Sequence, residues 1–215
     1  MATALTGRVL DGLTDTARVD VARAEGLAGQ ALAASPRSPL AHYAKGQVLR
    51  AQRRYEEAIP EYETVIAANH NWASALAALA DCKLFAGPIE EVIPLQEQAL
   101  RLSPRDPLIA NFYFRIGRVH LLQSRTDEAI VWLERARIGN LGSPWPHVWL
   151  ASAYGLKGDL DRAAAELAEA RRLLGGKGSH SIAAMRVRNW GVPTIHELHE
   201  ATFFAGLRKA GVPEE

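Results

Sequence analysis

Small residues recur along the chain at a spacing of 34 positions. The series are Gly12, Gly46 and Ala80; Ala24, Ala58 and Val92; and, after a shift of three positions, Gly117 with Ala151 and Ala129 with Ala163. A period of this length is typical of tandem two-helix repeats, which stack because a single repeat cannot bury its apolar face alone. The sequence therefore predicts an all-α, right-handed superhelical solenoid of antiparallel helix pairs, with a long concave surface of the kind that binds other proteins.

The composition is that of a folded protein without a strong charge. Of the 215 residues, 48% are hydrophobic and 23% are charged, and the formal net charge is +1. Nucleic acid and anionic membranes usually attract a basic excess, so neither is a predicted partner. Cys82 is the single cysteine, which rules out an intrachain disulfide and a thiolate metal cage. With no basic leader and no apolar run of about 18 residues, the chain is predicted to be cytoplasmic.

Helices are predicted in pairs separated by short polar breaks. An atypical N-terminal repeat fills residues 1–38, with Asp11 and Asp15 at positions where apolar residues are expected. Four further pairs follow at 39–72, 73–106, 108–139 and 143–174. Residues 175–215 supply a linker, a short helix near 180–189 and a C-terminal amphipathic helix. The apolar stripe of that last helix is predicted to be Ile195, Leu198, Ala201, Phe204 and Leu207.

Several helix starts and a bend are predicted from single residues. Ser38 and Ser143 precede Pro39 and Pro144, a combination typical of an N-cap followed by a first-turn proline. Thr126 is the predicted cap of the second helix in its pair. Pro60 falls early in a predicted helix and could bend it.

The repeats resemble a known family. The small and large positions of the tetratricopeptide repeat are matched by Gly46, Leu49, Tyr55, Ala58, Tyr62 and Val65; by Gly117, Ala129 and Ala136; and by Ala151, Tyr154, Gly158, Ala163, Leu167 and Ala170. Small residues at the Gly46 and Ala58 positions would let the two helices of a pair approach closely. The third pair departs from the motif at Ala80, Lys83 and Val92.

A second resemblance is narrower. AHYAKGQVLRAQRRYEEAIPEYETV, RLSPRDPLIANFYFRIGRVHLLQSRTDEAIVWLE and ATFFAGLRKAGVPEE are similar to the C-terminal repeat region of bacterial class III adenylate/guanylate cyclases. The catalytic domain of that family has no counterpart here, because residues 20–174 are assigned to repeats. The resemblance implies a regulatory module or a free-standing relative without cyclase activity.

The tetratricopeptide resemblance also implies a binding surface. In that family the first helix of each repeat lines the concave groove. The matching positions in this chain are Tyr43, Gln47, Arg50, Ala77, Asp81, Leu84, Asn111, Phe114, Arg118, Leu121, Val148 and Ser152. Aromatic residues and arginines suit a peptide or a partner helix, because they supply most hot-spot energy in interfaces. The alternative is that some of these residues pack beneath the C-terminal segment.

The C-terminal helix has two alternative roles. As a cap it would cover the last repeat, whose bare face would be apolar and adhesive. As a docking element it would bind a second copy, so the chain is predicted to be a monomer or a weak homodimer through this helix.

Other candidate sites have structural explanations that we favour. His196 and His199 lie three residues apart and could hold a metal, but no third ligand is evident. GGKGS at 175–179 lacks the spacing of a phosphate loop, and Cys82 lies in an apolar helix. Arg186 and Arg188 near Trp190 could stack on bases, although the neutral charge favours an ordinary helix. We predict no catalytic residue, cofactor or metal.

These patterns favour a non-catalytic protein-interaction scaffold. The regulatory module of a nucleotide cyclase and a helix-mediated homo-oligomerisation module are the alternatives, and an enzyme or metal protein ranks last.

Overall fold

The chain forms two compact helical units. A computed structural model describes residues 1–10, 15–175, 181–187 and 191–215. The units are Met1–Ser103 and Pro104–Glu215. All regular structure in the described ranges is helical, which confirms the predicted all-α class.

In the first unit each helix packs against the next along the chain, and α1 also contacts α3. The antiparallel pairing follows from the short connections, which leave no room for a long return of the chain. The helices are α1 (Ala2–Leu10), α2 (Ala17–Ala34), α3 (Pro39–Ala51), α4 (Tyr55–Ala68), α5 (Ala73–Ala86) and, after a 3-10 turn at Ile89–Glu91, α6 (Val92–Leu102).

The second unit contains two helix pairs and a C-terminal extension. The pairs are α7 (Ile109–Leu122) with α8 (Thr126–Gly139), and α9 (Pro144–Lys157) with α10 (Leu160–Leu173). The extension contains α11 (Ile182–Arg186), α12 (Pro193–Leu198), a π-helical segment (His199–Phe204) and α13 (Ala205–Lys209). The last three segments follow one another without a break, and together we call them the C-terminal helix. Among the described helices, none combines the length and apolar character that a membrane span requires.

Two of the three predicted helix caps are found at their predicted positions. Ser38 is the N-cap of α3, and its Oγ accepts a hydrogen bond from the amide of Ala41 at 3.4 Å. Ser143 occupies the N-cap of α9, although its side chain makes no capping hydrogen bond. The prediction for Thr126 is wrong, because Arg125 is the N-cap and Thr126 is already helical.

The shifted start of α8 has a local cause. Ser124 has a positive φ of 61°, and the amide of Arg125 donates to the carbonyl of His120 at 2.8 Å. Ser124 and Arg125 belong to this tight turn, so the first helical residue of α8 is Thr126. The α3–α4 connection repeats the turn at Arg53, whose φ is also 61°.

Glycines set the distance between the helices of a pair. A Cβ placed on Gly46 would lie 2.9 Å from the Tyr62 ring. A Cβ placed on Gly117 would lie 2.7 Å from Cγ and 3.1 Å from the backbone nitrogen of Leu133. Tyr62 and Leu133 are fully buried, so the side chain opposite each glycine fills the space that the glycine leaves.

A His–Glu contact, with a second basic side chain on the same carboxylate, joins the first and second helices of two pairs at corresponding positions, and it was not predicted. His42 Nδ1 lies 2.6 Å from Glu61 Oε2, and Lys45 Nζ lies 2.6 Å from the other carboxylate oxygen. In the last pair, His147 Nδ1 lies 2.6 Å from Glu166 Oε2, and Arg137 contacts Oε1. The two pairs therefore share a polar tie between their first and second helices in addition to apolar packing.

Alanine substitutions at glycines should separate packing from helix propensity. Gly117→Ala should lower the free energy of unfolding by about 1–3 kcal/mol, because the added methyl group overpacks against Leu133. Gly29→Ala is the matched control, since nothing lies within 4 Å of its Cβ position in α2. It should instead stabilise by up to about 1 kcal/mol through helix propensity. Urea denaturation measures both changes, and an equal response of the two variants would contradict the close approach of α7 and α8.

Candidate functional site

Two surfaces carry the predicted groove residues, one in each unit. The α3–α5 face is formed in the first unit by Tyr43, Gln47, Arg50, Ala77, Asp81 and Leu84. The α7–α9 face is formed in the second unit by Asn111, Phe114, Arg118, Leu121, Val148 and Ser152. The helices of each face are the first members of their pairs. Within the first unit α3 contacts α5, and within the second unit α7 contacts α9.

Polar side chains pair with one another along the α3–α5 face. Arg50 Nη1 donates to Asp81 Oδ2 at 2.9 Å, and the two side chains are only 15% and 13% exposed. Gln47 Nε2 donates to the hydroxyl of Tyr43 at 2.6 Å. The Tyr43 ring stacks on Trp72 with centroids 5.1 Å apart. These contacts hold each of the polar groups in a fixed orientation.

Two atoms of the same face have unused hydrogen-bonding capacity. Gln47 Oε1 and Arg50 Nε are shielded from solvent and make no hydrogen bond with any residue that the structure describes. One is an acceptor and the other a donor. A buried polar atom without a partner is costly, and because both atoms are shielded from solvent, a ligand group could pair with them only after the side chains around them move.

The remaining residues of the α3–α5 face are buried. Ala77 is 6% exposed and Leu84 is 1% exposed, so they serve mainly as core. The adjacent Cys82 is also buried, and burial raises the pKa of its thiol to about 12. This thiol is protonated at neutral pH, which favours a structural role for Cys82.

The α7–α9 face is covered by the C-terminal helix of the same chain. The π-helical segment packs on both α7 and α9, and α13 packs on α9. Ile195, Phe204 and Leu207 of the predicted stripe are buried, but Ala201 is exposed. The π-helical turn, with its i→i+5 hydrogen bonds, explains this difference, because it rotates the residues that follow relative to an α-helix.

Aromatic rings form the centre of this contact. Trp149 stacks on Phe203 with ring centroids 4.1 Å apart and an interplanar angle of 23°. Phe114 meets the Trp149 ring edge to face at 6.3 Å. The Arg118 guanidinium lies over the Trp149 ring, 4.8 Å from its centroid. Such stacked and cation–π pairs contribute beyond the apolar area that they bury.

The two backbones touch next to these rings. A Cβ on Gly155 would lie 2.2 Å from the carbonyl oxygen of Gly206, and a Cβ on Gly206 would lie 2.2 Å from the carbonyl oxygen of Ser152. Ser152 Oγ also donates to the carbonyl of Phe203 at 2.7 Å. Neither glycine can carry a side chain without moving the helices apart, so the contact requires glycine on both sides.

His199 is a buried titratable group in this contact. Its Nδ1–H donates to the carbonyl of Ile195 at 2.8 Å, and its ring meets Trp149 edge to face. Burial, reinforced by the positive charge of Arg118, lowers the pKa of His199 to about 4. His196 and Glu200 act on it more weakly and in opposite directions. The histidine is therefore neutral at physiological pH.

An ionic cluster holds the outer side of the C-terminal helix. Arg186 of α11 contacts Glu200 and Glu214, and Arg208 contacts the same two carboxylates. The pKa of Glu200 is lowered first by its hydrogen bond with Arg186. In addition, the amide of Ile182 donates to the carbonyl of Pro213 at 2.9 Å. These bonds join α11, the C-terminal helix and the tail into one assembly.

The predicted groove residues thus have different surroundings. The C-terminal helix packs on the part of the α7–α9 face that contains Phe114, Arg118 and Ser152. On the same face Leu121 and Val148 are buried, and Asn111 is half-buried. The sequence reasoning missed Trp149, Gly155 and Gly206. A glycine in the interior of α9 is a signal for close backbone approach that could have found Gly155.

Other candidate residues lie elsewhere or outside the description. His196 is exposed whereas His199 is buried, so the two do not share an environment. Within the described part of the chain, no group of three metal-ligating side chains is present. Arg188, Trp190, Asp11, Gly12 and most of the segment 175–179 lie outside the described residues.

One family model matches two stretches of the chain. The tetratricopeptide repeat family model matches residues 17–71 and 94–142. No curated protein sequence matches the chain. The chain is thus similar to tetratricopeptide repeat proteins in these stretches, and no comparison links it to nucleotide cyclases.

Solved structures agree on the fold. A thermophilic tetratricopeptide protein of Thermus thermophilus is 21% identical, with a TM-score of 0.62 over 87% of this chain and 94% of that chain. PilF of Pseudomonas aeruginosa is 17% identical, with a TM-score of 0.65 over 98% of this chain and 87% of that chain. YrrB, described as a tetratricopeptide protein with an unusual peptide-binding site, is 14% identical, with a TM-score of 0.57 over 86% of this chain and 92% of that chain. At these identities the likeness extends to the fold alone.

The buried His199 should make the second unit sensitive to acid. The unfolded chain takes up a proton near pH 6.5 but the folded chain only near pH 4, so the contribution of His199 is complete above about pH 6.5 and is lost as pH falls toward 4. His199→Gln should reduce the pH dependence of the unfolding free energy in this window by about 1.4 kcal/mol per pH unit. The exposed His196→Gln is the control. Chemical denaturation at a series of pH values measures the slopes, and parallel slopes for wild type and His199→Gln would contradict the burial of this ring.

Proposed function

We propose that the chain is a non-catalytic scaffold that binds a polypeptide segment of a partner protein on the α3–α5 face. The observation that carries the proposal is that the corresponding face of the second unit holds a polypeptide helix, contributed by the chain itself. The first helices of these pairs can therefore present a surface that a backbone approaches closely. The single buried thiol of Cys82 suits a reducing compartment such as the cytoplasm.

The chemistry of the α3–α5 face suits a peptide group. A peptide bond offers an N–H donor for Gln47 Oε1 and a carbonyl acceptor for Arg50 Nε once the side chains that shield these two atoms from solvent move aside. Tyr43 and Trp72 supply stacked aromatic surface beside these atoms. Because aromatic residues and arginine dominate interface energetics, this combination favours a polypeptide ligand with an apolar anchor.

The arrangement of Arg50 and Asp81 adds selectivity. Their ion pair neutralises both charges at the face, so a strongly charged ligand would gain little from either of them. A ligand that presents neutral backbone groups keeps this pair intact. The partner segment is therefore an extended or irregular stretch with free backbone groups, since a regular helix has already satisfied most of its own.

A substitution at Gln47 tests this function. Peptides selected from a random displayed library on the immobilised protein should bind Gln47→Ala about tenfold more weakly than wild type, because a ligand hydrogen bond is lost. Fluorescence anisotropy with labelled peptides gives the affinities. Glu56→Gln, on the exposed first turn of α4, is the matched control and should bind as wild type.

Thermal melting of the Gln47→Ala variant must show an unchanged midpoint for this comparison to hold. Failure to select any peptide, or selected peptides whose affinity is the same for wild type and Gln47→Ala, would contradict binding at the α3–α5 face.

A further inference from the structure

We propose that the outer side of α8 pairs with the same surface of a second copy of this chain, so that two copies form a weak antiparallel dimer. This surface is formed by Glu128, Val131, Arg135 and Ile138, and we call it the α8 stripe. The proposal concerns the second unit alone and does not rest on peptide binding at the α3–α5 face. It is carried by exposed apolar side chains and by a charge pattern that is complementary to itself.

The α8 stripe is an exposed surface of the second unit. α8 packs on α7 and α9 through its buried side. Val131 and Ile138 are 48% and 68% exposed, and Glu128 and Arg135 are exposed as well. Residues that are spaced by three, four and three positions share one side of a helix, so these four side chains form a continuous row.

The apolar character of this row is specific to the α7–α8 pair. Thirty-four positions later, Ala165 and Arg172 of α10 take the places of Val131 and Ile138. Leu141, just beyond the end of α8, extends the row and is 72% exposed. Single exposed apolar residues are common on protein surfaces, whereas a row of them indicates a contact surface.

Two aromatic rings replace a polar contact beside the stripe. In the last pair, the first and second helices are joined by the His147–Glu166 contact. Thirty-four positions earlier the chain has Tyr113 and Trp132, whose ring centroids lie 5.7 Å apart. The Trp132 ring is half-buried, and the Arg135 guanidinium lies over it, 4.8 Å from its centroid. Trp132 therefore adds apolar area along the edge of the stripe.

The charges of the α8 stripe are complementary to themselves in an antiparallel arrangement. Glu128 and Arg135 are seven residues apart, so a two-fold axis halfway between them lies about 5 Å along the helix from each. Rotation about this axis brings Glu128 of each copy opposite Arg135 of the other copy. The same rotation brings Val131 opposite Trp132. A parallel arrangement would instead bring like charges together, so the pattern favours one direction of pairing.

A second copy is the occupant that this chemistry favours. A lipid surface would take the charged groups of Glu128 and Arg135 out of water without partners, which is costly. The complement of the stripe is a helix with a basic and an acidic residue at the same spacing and in the opposite order, and every copy of this chain carries one. A contact of one helix pair is at the small end of protein interfaces, so the dissociation constant should be roughly 10–100 μM.

Charge reversal tests this pairing. Glu128→Lys and Arg135→Glu each place like charges opposite each other, so each variant alone should associate at least about tenfold more weakly than wild type. In an equimolar mixture, the new lysine of one copy faces the new glutamate of the other, so a heterodimer should form as tightly as the wild-type dimer. The double variant Glu128→Lys/Arg135→Glu should form a homodimer again for the same reason. Sedimentation equilibrium of the full-length chains over a concentration series measures all four association constants.

Controls separate the α8 stripe from other causes of association. Asp161→Lys reverses an exposed charge in the first turn of α10 and should associate as wild type does. Val131→Ser weakens the apolar contact at the axis without changing a charge and should also lower the association constant. Because all of these side chains are exposed, each variant should melt cooperatively at the wild-type midpoint.

The pattern of association decides the proposal. A wild-type dimer that is lost in each single variant and recovered in the mixture and in the double variant supports it. A wild-type chain that stays monomeric well above 100 μM overturns it, and so does a dimer that neither single variant weakens. Loss without recovery in the mixture overturns the antiparallel pairing. Binding of a monomeric wild-type chain to phosphatidylglycerol vesicles, weakened by Val131→Ser, would assign the stripe to lipid and overturn the proposal as well.

Discussion

Close approach of helix backbones at glycine is the constraint on which the rest of the structure depends. Gly46 and Gly117 let the two helices of a pair come near enough for Tyr62 and Leu133 to fill the space between them. Dispersion contacts are lost steeply with distance, so a pair held apart by one methyl group would lose much of its packing. The same device recurs at Gly155, where it serves a contact between α9 and the C-terminal helix.

This recurrence connects the fold with the proposed interactions. A surface built to accept a neighbouring helix at van der Waals distance can accept a helix that is not part of a repeat, and the α7–α9 face does so with Phe203 and Gly206. The α3–α5 face differs in chemistry, because it contains the Arg50–Asp81 ion pair and the Gln47–Tyr43 hydrogen bond in place of a glycine contact. We therefore propose different ligands for the two faces, the chain's own glycine-bearing helix for the α7–α9 face and peptide groups for the α3–α5 face.

The sequence was sufficient for the architecture because the 34-residue period follows directly from the packing of small against large residues, as at Gly46 and Tyr62. It was insufficient where the outcome depends on contacts distant in sequence. Three features require partners from other elements. They are the π-helical turn that exposes Ala201, the His147–Glu166 contact and the packing of the C-terminal helix around Trp149. The prediction of the α8 cap was wrong for a local reason. Ser124 adopts a left-handed conformation, which the sequence would have indicated only if a glycine stood there.

The C-terminal helix of this chain fills the α7–α9 face through aromatic and glycine contacts. Nuclear Overhauser effects between the Trp149 indole and the Phe203 ring test it most directly, because the ring centroids lie 4.1 Å apart. Strong cross-peaks are expected between these two rings in the wild-type chain, and they should disappear in Gly206→Leu. A well-ordered spectrum in which Trp149 shows cross-peaks to α7 but none to Phe203 would contradict it.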